Sequence, residues 1–398
     1  MKLLDKCARF TRAREAQAGG YYPFFIPIEA SDGTQVRVNG ESMIMMGSNN
    51  YLGLTHHPKV IEAAAETLQR YGSGCTGSRF LNGTLDLHEQ LEDRLARFLN
   101  KEAALVFSTG YQTNLGVVAG LIGRGDYLYL DKLNHASLVD SARLAYGTVC
   151  RYPHEDLSIL EQQLAQSQGN AGKLIVTDGV FSMDGDIVEL PELVRLSEQY
   201  EADILVDDAH GFGVLGERGA GTAEHYRLED QVMLIVATFS KSLASIGGVV
   251  AGPEPVIHYL KHHARSLIFS ASMPPASVAT VLAALDVIEA EPERRTALWR
   301  NTRRMQDGLK SLGYNIGVSE TPIIPVVTGQ PIETWLLWKS LYDGGIFTNP
   351  VIPPAVPDHS CRVRISMMAT HTDEQIDFVL DAFERGRHHL GIRSQVAV

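Results

Sequence analysis

Paired cysteines, a surplus of basic residues and a long apolar run are all missing from this sequence of 398 residues. Each absence removes a class of protein. The four cysteines, Cys7, Cys75, Cys150 and Cys361, lie far apart and form no C-x-x-C pair. Buried or free thiols in a reducing compartment are therefore expected, and neither a disulfide framework nor a cysteine metal site is. Lysine and arginine number 35 against 47 aspartates and glutamates, a formal charge of −12. That balance argues against non-specific binding to nucleic acid, although a local cationic pocket for an anionic substrate is compatible with it. No apolar run reaches spanning length, and Met1-Lys2-Leu3-Leu4-Asp5-Lys6-Cys7 has no apolar signal core. The expectation is a cytoplasmic protein without a transmembrane segment; peripheral association with a membrane surface stays open. Repeats, low-complexity tracts and long charge runs are absent too. The length predicts roughly two to three domains with a large core.

One stretch organises the rest. Ile204-Leu205-Val206-Asp207-Asp208-Ala209-His210 and Leu234-Ile235-Val236-Ala237-Thr238-Phe239-Ser240-Lys241 are apolar runs that end in polar groups. Strands buried on both faces read this way where they reach the rim of a parallel sheet. Ligands of open α/β sheets sit outside the carboxyl ends of the strands, so an acid, a histidine and a lysine arrive at one rim. A lone lysine after a strand is most often a solvated surface group. Together with the acid and the imidazole it suits pyridoxal phosphate (PLP), which needs a lysine for a Schiff base and an acid to keep its pyridine nitrogen protonated.

These motifs resemble the fold-type I PLP enzymes, and more narrowly the α-oxoamine synthases. The signatures Asp-x-Ala-His and Thr-Phe-Ser-Lys match Asp207–His210 and Thr238–Lys241. By that resemblance Lys241 carries the cofactor, Asp207 pairs the pyridine nitrogen, and His210 and Thr238 contact the cofactor. Asn134-His135-Ala136-Ser137 puts His135 on the ring face. Phe181-Ser182-Met183-Asp184 brings Ser182 to the ring hydroxyl, and Ser108-Thr109-Gly110-Tyr111 makes Gly110 and Tyr111 phosphate contacts. A strand–turn–helix there offers free N–H groups to an anion in any case. In Phe269-Ser270-Ala271-Ser272 the resemblance sends Ser270 to the phosphate of a second subunit, which implies a homodimer with shared active sites. In Asn49-Asn50-Tyr51-Leu52-Gly53-Leu54 it sets Asn50 near the substrate carboxylate. Arg364 stands in a strand-like run, where alternation turns it either to solvent or into the site; the resemblance, and arginine's fit to a carboxylate, favour the site.

Within the family, Ser78–Thr84 is a close match to the serine palmitoyltransferase branch. That branch condenses L-serine with palmitoyl-CoA, a long-chain acyl-CoA, to 3-ketodihydrosphingosine, CO2 and CoA. Lys241 or a nearby base would remove the α-proton, and His210 or His135 would polarise groups at the new bond. The alternative is a relative that takes glycine or alanine, such as 8-amino-7-oxononanoate synthase or glycine C-acetyltransferase. Ala237 departs from the glycine many relatives have, and Ile352 from the arginine of one branch, which leaves the carboxylate to Arg364 and Asn50. A regulator on the same fold would need a DNA-binding segment, and the N-terminal arm is too short for a helix-turn-helix.

Elsewhere Leu3–Gln17 has helical spacing, closed by Gly19-Gly20, and Tyr21–Ile28 with two prolines must be extended. Turns fall at Ser31-Asp32-Gly33 and Asn39-Gly40. Gly72–Gly77 and Gly211–Gly216 spell the dinucleotide fingerprint, but a helix precedes the first and no helix follows the second at once. The adjacent His262 and His263 point to different helix faces, a poor metal site, and no metal is expected. The predicted fold is α/β: a mainly parallel sheet with flanking helices from about Leu85 to Ala251, and a smaller α+β C-terminal domain. Boundaries are drawn at residues 1–50 (arm), 51–285 (PLP-binding domain) and 286–398 (small domain). The tail after Gly391 reads as weakly ordered.

Overall fold

A computed structural model describes residues 2–154, 156–353, 355–357 and 359–391; the tail expected to be weakly ordered lies outside them. Seven strands form the central sheet, in the order Ala103–Phe107, Gly248–Gly252, Leu234–Thr238, Asp203–Asp207, Lys173–Asp178, Tyr127–Asp131, Thr148–Tyr152. Six run in one direction, and Gly248–Gly252 is antiparallel to both of its neighbours. The strands Lys173–Asp178 and Gly248–Gly252 are buried along their whole length, as helices on both faces require. A mainly parallel sheet was expected, and the antiparallel insertion is the refinement. At one rim it brings Gly248 beside both Phe107 and Thr238.

Two glycines set how closely helix Gly110–Leu121 meets that rim. A Cβ on Gly248 would lie 2.7 Å from the Gly110 Cα, and one on Gly110 would lie 2.7 Å from the Thr238 Cβ. Side chains at either place would push the helix start away from the strand ends.

The C-terminal sheet is antiparallel, in the order Ile323–Gly329, Cys361–Ser366, Asn349–Val351, and packs against helix Pro331–Asp343. Three N-terminal strands form another sheet through the Asn39-Gly40 turn, where both residues have positive φ. Ile346–Phe347 joins this sheet in parallel with Glu41–Met45, so the arm is fastened to the far end of the chain. The helical pattern over Leu3–Gln17 splits into Leu3–Ala8 and Arg12–Ala18, with Thr11 as the second N-cap. Beyond it Phe24 meets Trp335 edge to face, ring centres 6.4 Å apart, so the extended segment lies on its own chain. Phe25 remains 95% exposed. No helix of the described residues is long and apolar enough to cross a membrane.

Below the sheet, Arg79 makes a bidentate pair with Glu92 at 2.7 and 3.0 Å. Glu92 also accepts from the Val106 backbone at 2.9 Å. The pair ties the glycine-rich segment to the first strand; removing one partner would leave a buried charge unpaired.

Candidate active site

A cavity of about 330 Å3 opens at the rim, lined by residues from every strand end between Phe107 and Thr238 that the motifs mark. Lys241, Asp207, His210, His135, Ser182, Thr238, Gly110 and Tyr111 all face it. The sheet alone explains this convergence, because the motifs follow parallel strands that finish at the same edge.

Lys241 sits in a tight return between two neighbouring strands. Phe239 donates to the Gly247 carbonyl at 2.9 Å and Ser245 to the Phe239 carbonyl at 2.9 Å, which holds the lysine's backbone at the cavity. Burial pushes its ammonium pKa down to about 8, against the pull of the Asp207 and Asp178 carboxylates. An amine so placed is roughly a tenth unprotonated at pH 7, far more than an ordinary lysine, as a nucleophile or a base needs.

Asp207 ends its strand. It accepts from Asn114 Nδ2 at 2.6 Å and from the Ala209 N–H at 3.1 Å. The same Asn114 amide donates to Ser137 Oγ at 2.8 Å. Ser137 then has its own proton for His135 Nδ1, 2.7 Å away, and that nitrogen also accepts from the Ser137 N–H. By this network the His135 proton is on Nε2. Burial lowers the His135 pKa despite the nearby Asp207 carboxylate, which keeps the ring neutral. Asp178, another strand-end acid, accepts from the His135 N–H at 2.9 Å. Its pKa is well above the usual carboxylate range through burial first and the Asp207 charge second. Asp208 is turned away from the cavity. It accepts from the Thr222 N–H at 2.5 Å and hydroxyl at 2.7 Å, and burial raises its pKa to about 7. Asp208 fastens the loop; Asp207 serves the cavity.

Thr109 caps helix Gly110–Leu121 by accepting from the Gln112 N–H at 3.1 Å. The free N–H groups of that first turn, with the helix dipole, suit an anion. Tyr111 donates its hydroxyl to Asp140, and Thr238 Oγ1 reaches the Gly247 carbonyl at 3.2 Å. Ser270 is not among the cavity-lining residues. Within its own chain it accepts from Gln112 Nε2 at 3.1 Å, beside the same helix start.

Arg364 is not turned to solvent, and neither it nor Asn49 is among the cavity-lining residues; it reaches the cavity's lining through Ser182. It is buried, donates to the Ser182 carbonyl at 2.6 Å, and reaches Asn49 Oδ1 with both terminal nitrogens at 3.2 Å. Asn50, the asparagine expected here, is elsewhere. Its amide bonds Thr55 Oγ1 at 2.8 Å and accepts from the Leu54 N–H at 3.0 Å, so it braces its own turn. The asparagine beside the arginine is Asn49, the first residue of the Asn-x-Tyr pattern. Asn114 was missed as well; it lies one helical turn after Gly110 and so shares its face. Asp178 could have been found by the strand-end rule that found Asp207.

The Ser182 loop has a separate anchor. His154 Nδ1 is 2.9 Å from Asp131 and Nε2 is 2.8 Å from Asp186. Burial alone would lower its pKa, but the hydrogen bonds to the two carboxylates outweigh it and hold the value at about 10. A raised pKa means stabilisation fully present below the unfolded value near 6.5 and lost as pH rises through about 10. His154→Gln should therefore cost about 2–4 kcal/mol at pH 6, and progressively less toward pH 10. Denaturant titrations at several pH values check this; a pH-independent loss would contradict it.

An amine, a carboxylate, neutral imidazoles and a capped helix start in one cavity fit PLP in donor chemistry. Comparisons agree. The chain matches the family of class I and II aminotransferases over residues 41–383. It is 49% identical over 384 residues to a serine palmitoyltransferase of Sphingobacterium spiritivorum, covering 96% of each chain. It is 42% identical over 375 residues to an 8-amino-7-oxononanoate synthase of Geobacter sulfurreducens, covering 94% of this chain and 96% of that one. A solved structure of serine palmitoyltransferase with PLP superposes with a TM-score of 0.96 at 35% identity, over 99% of this chain and all of the other.

Proposed function

Because the chain belongs to the class I and II aminotransferase family, and within it is an α-oxoamine synthase and a PLP-dependent acyltransferase, we propose that it condenses L-serine with a long-chain acyl-CoA. Palmitoyl-CoA would give 3-ketodihydrosphingosine, CO2 and CoA. The observation that carries this reading is the junction of Arg364, Asn49 and the Ser182 carbonyl. We read it as a buried cationic seat for an amino-acid carboxylate: Arg364 is buried, and Ser182, to which it bonds, lines the cavity that holds Lys241. Identities of 47–49% to serine palmitoyltransferases, against 39–42% to the 8-amino-7-oxononanoate synthases, favour serine over alanine.

PLP, when bound, supplies an electron-accepting ring that stabilises charge left on a substrate carbon. The chain's residues do the rest. Lys241 would hold the group through its amine, and the freed amine would take the substrate α-proton. Asp207, held in place by Asn114, would keep a proton on the pyridine nitrogen. The helix start at Gly110 and Tyr111 would bind the phosphate, with Thr238 beside it. His135 would cover the ring, and Ser182 and His210 would contact the cofactor's oxygen atoms. Arg364 and Asn49 hold the substrate carboxylate. The α-carbon attacks the thioester, its C–S bond breaks to release CoA, and the carboxylate leaves as CO2. With serine labelled in its carboxyl group, one labelled CO2 should appear for each CoA released; CoA release without CO2 would overturn the reading.

The apolar side chains exposed about this region support a homodimer. Leu81 is 78% and Phe269 is 71% exposed, and both belong to loops that meet near Ser272. The proposed shared site uses Ser270 from the partner, so dilution to monomers should abolish activity along with the dimer mass. The proposed division at residues 50 and 285 puts Arg364 on the small domain. A cytoplasmic location is likewise proposed, since the four cysteines are far apart in the sequence and form no C-x-x-C pair.

A further inference from the structure

Tyr51 is 1% exposed, and its hydroxyl is 2.6 Å from His210 Nδ1. His210 lines the cavity and Tyr51 does not. The short contact therefore uses the ring nitrogen on the protein side and leaves the other nitrogen for the cavity. A hydrogen bond between a phenol and an imidazole can run either way, and the direction decides which nitrogen carries the proton.

The surroundings of the phenol oxygen decide it. The phenol is buried, so its proton needs an acceptor within the protein. Arg364 sends its hydrogen bonds to Ser182, Asn49 and Ser366, and so leaves the phenol to its own nearest acceptor. Two acceptors are in reach: His210 Nδ1 at 2.6 Å and Asn49 Oδ1 at 3.4 Å. The second is long for a hydroxyl donor, and Asn49 Oδ1 is already taken by both terminal nitrogens of Arg364. The phenol remains protonated, its pKa raised to about 12 by burial in spite of Arg364. His210 remains neutral, its pKa depressed well below 6.5 by burial and then by Lys241, Arg364 and His135. A neutral imidazole has one donor and one acceptor, so an accepting Nδ1 means a protonated Nε2.

We propose that Tyr51 is a positioning residue that fixes the His210 tautomer by donating to Nδ1, so that Nε2–H is the donor His210 offers to an oxygen of the bound cofactor or substrate. His135 is held as the same tautomer by Ser137 and Asn114. The two neutral histidines of the cavity are then both donors. Asn49 Oδ1, which Arg364 holds, lies 3.4 Å from the same Tyr51 hydroxyl, so the arginine and His210 flank one side chain. This inference rests on the proposed function for what His210 donates to, but the tautomer itself does not.

The test is nitrogen NMR of the holoenzyme labelled with 15N-histidine, with His210→Gln used to assign the His210 signals. No amino acid or acyl donor is added, so an error in the substrate reading leaves the outcome intact. The wild type should show Nε2 protonated and Nδ1 as a hydrogen-bonded acceptor. In Tyr51→Phe the Nδ1 signal should shift toward that of an unbonded imidazole nitrogen, and turnover should fall by about tenfold. A wild-type spectrum with the proton on Nδ1 overturns the proposal, and so does a folded Tyr51→Phe protein with unchanged His210 signals. Were Tyr51→Phe not to fold, the wild-type spectrum alone would still decide the tautomer.

Discussion

Lys241→Ala is expected to abolish turnover, with a loss of roughly ten-thousand-fold or more. The variant should still take up PLP, through the helix start and Asp207, but without the visible absorption band of a lysine-bound cofactor. Two effects meet in this one side chain. Burial brings its pKa down to about 8, so that the amine is available as a nucleophile. The turn between Phe239 and Gly247 points it at the cavity, with Asp207 and Asp178 opposite. Alanine removes the amine and leaves the strands and that backbone turn intact, so the fold should persist. Absorbance and steady-state turnover check the prediction together. A variant that keeps both the band and full activity would move the cofactor attachment to another residue.

Asp207→Asn should cost roughly a hundred- to ten-thousand-fold in rate, while the stability changes little. The amide nearly matches the carboxylate in shape and can still accept from the Ala209 N–H, which lies 3.1 Å away. It cannot hold a proton on a pyridine nitrogen by charge. Its partner Asn114, at 2.6 Å, would have to face either an amide oxygen or an amide nitrogen, with at best a weaker hydrogen bond. The most direct readout is exchange of the serine α-proton with solvent in the absence of acyl-CoA. Exchange at the wild-type rate would take Asp207 out of this role. Asp208 would be a poor replacement, because its oxygens are already engaged by Thr222.

Strand identity was legible where it decided most. The runs Ile204–Asp207 and Leu234–Thr238 are so uniformly apolar that burial on both faces is their simplest fate, and acids or hydroxyls at their ends mark the rim. Strand direction was not legible. Nothing in the composition of Gly248–Gly252 distinguishes antiparallel from parallel pairing, because both bury the same side chains. Long-range partners were hidden for the same reason. Ile346–Phe347 pairs with Glu41–Met45 across most of the chain length, and Tyr51 meets His210 at a separation of 159 residues. Local spacing carries no trace of either contact.

The site itself was read largely through its motifs, and the misplacement of one asparagine shows the limit of that route. Asn49 and Asn50 are chemically identical neighbours in one turn, and only the backbone decides which amide turns toward Arg364 and which toward Thr55. His154 is a different case. Its position between Asp131 and Asp186 depends on two loops meeting at adjacent strand ends, and no motif in the sequence marks it. The arm's two short helices were also read as one pattern, because the apolar and basic residues keep their spacing through Arg9 and Phe10 while Thr11 restarts the helix.

The central claim is that the carboxylate seat at Arg364 and Asn49 serves L-serine for condensation with a long-chain acyl-CoA. One measurement tests it most directly: CoA release from palmitoyl-CoA with L-serine, glycine and L-alanine supplied separately to the PLP-loaded protein at equal concentration. Serine should support most of the release and yield the long-chain amino ketone, with glycine and alanine giving little. Preferential use of glycine or alanine, or release that does not depend on any amino acid, would contradict the account.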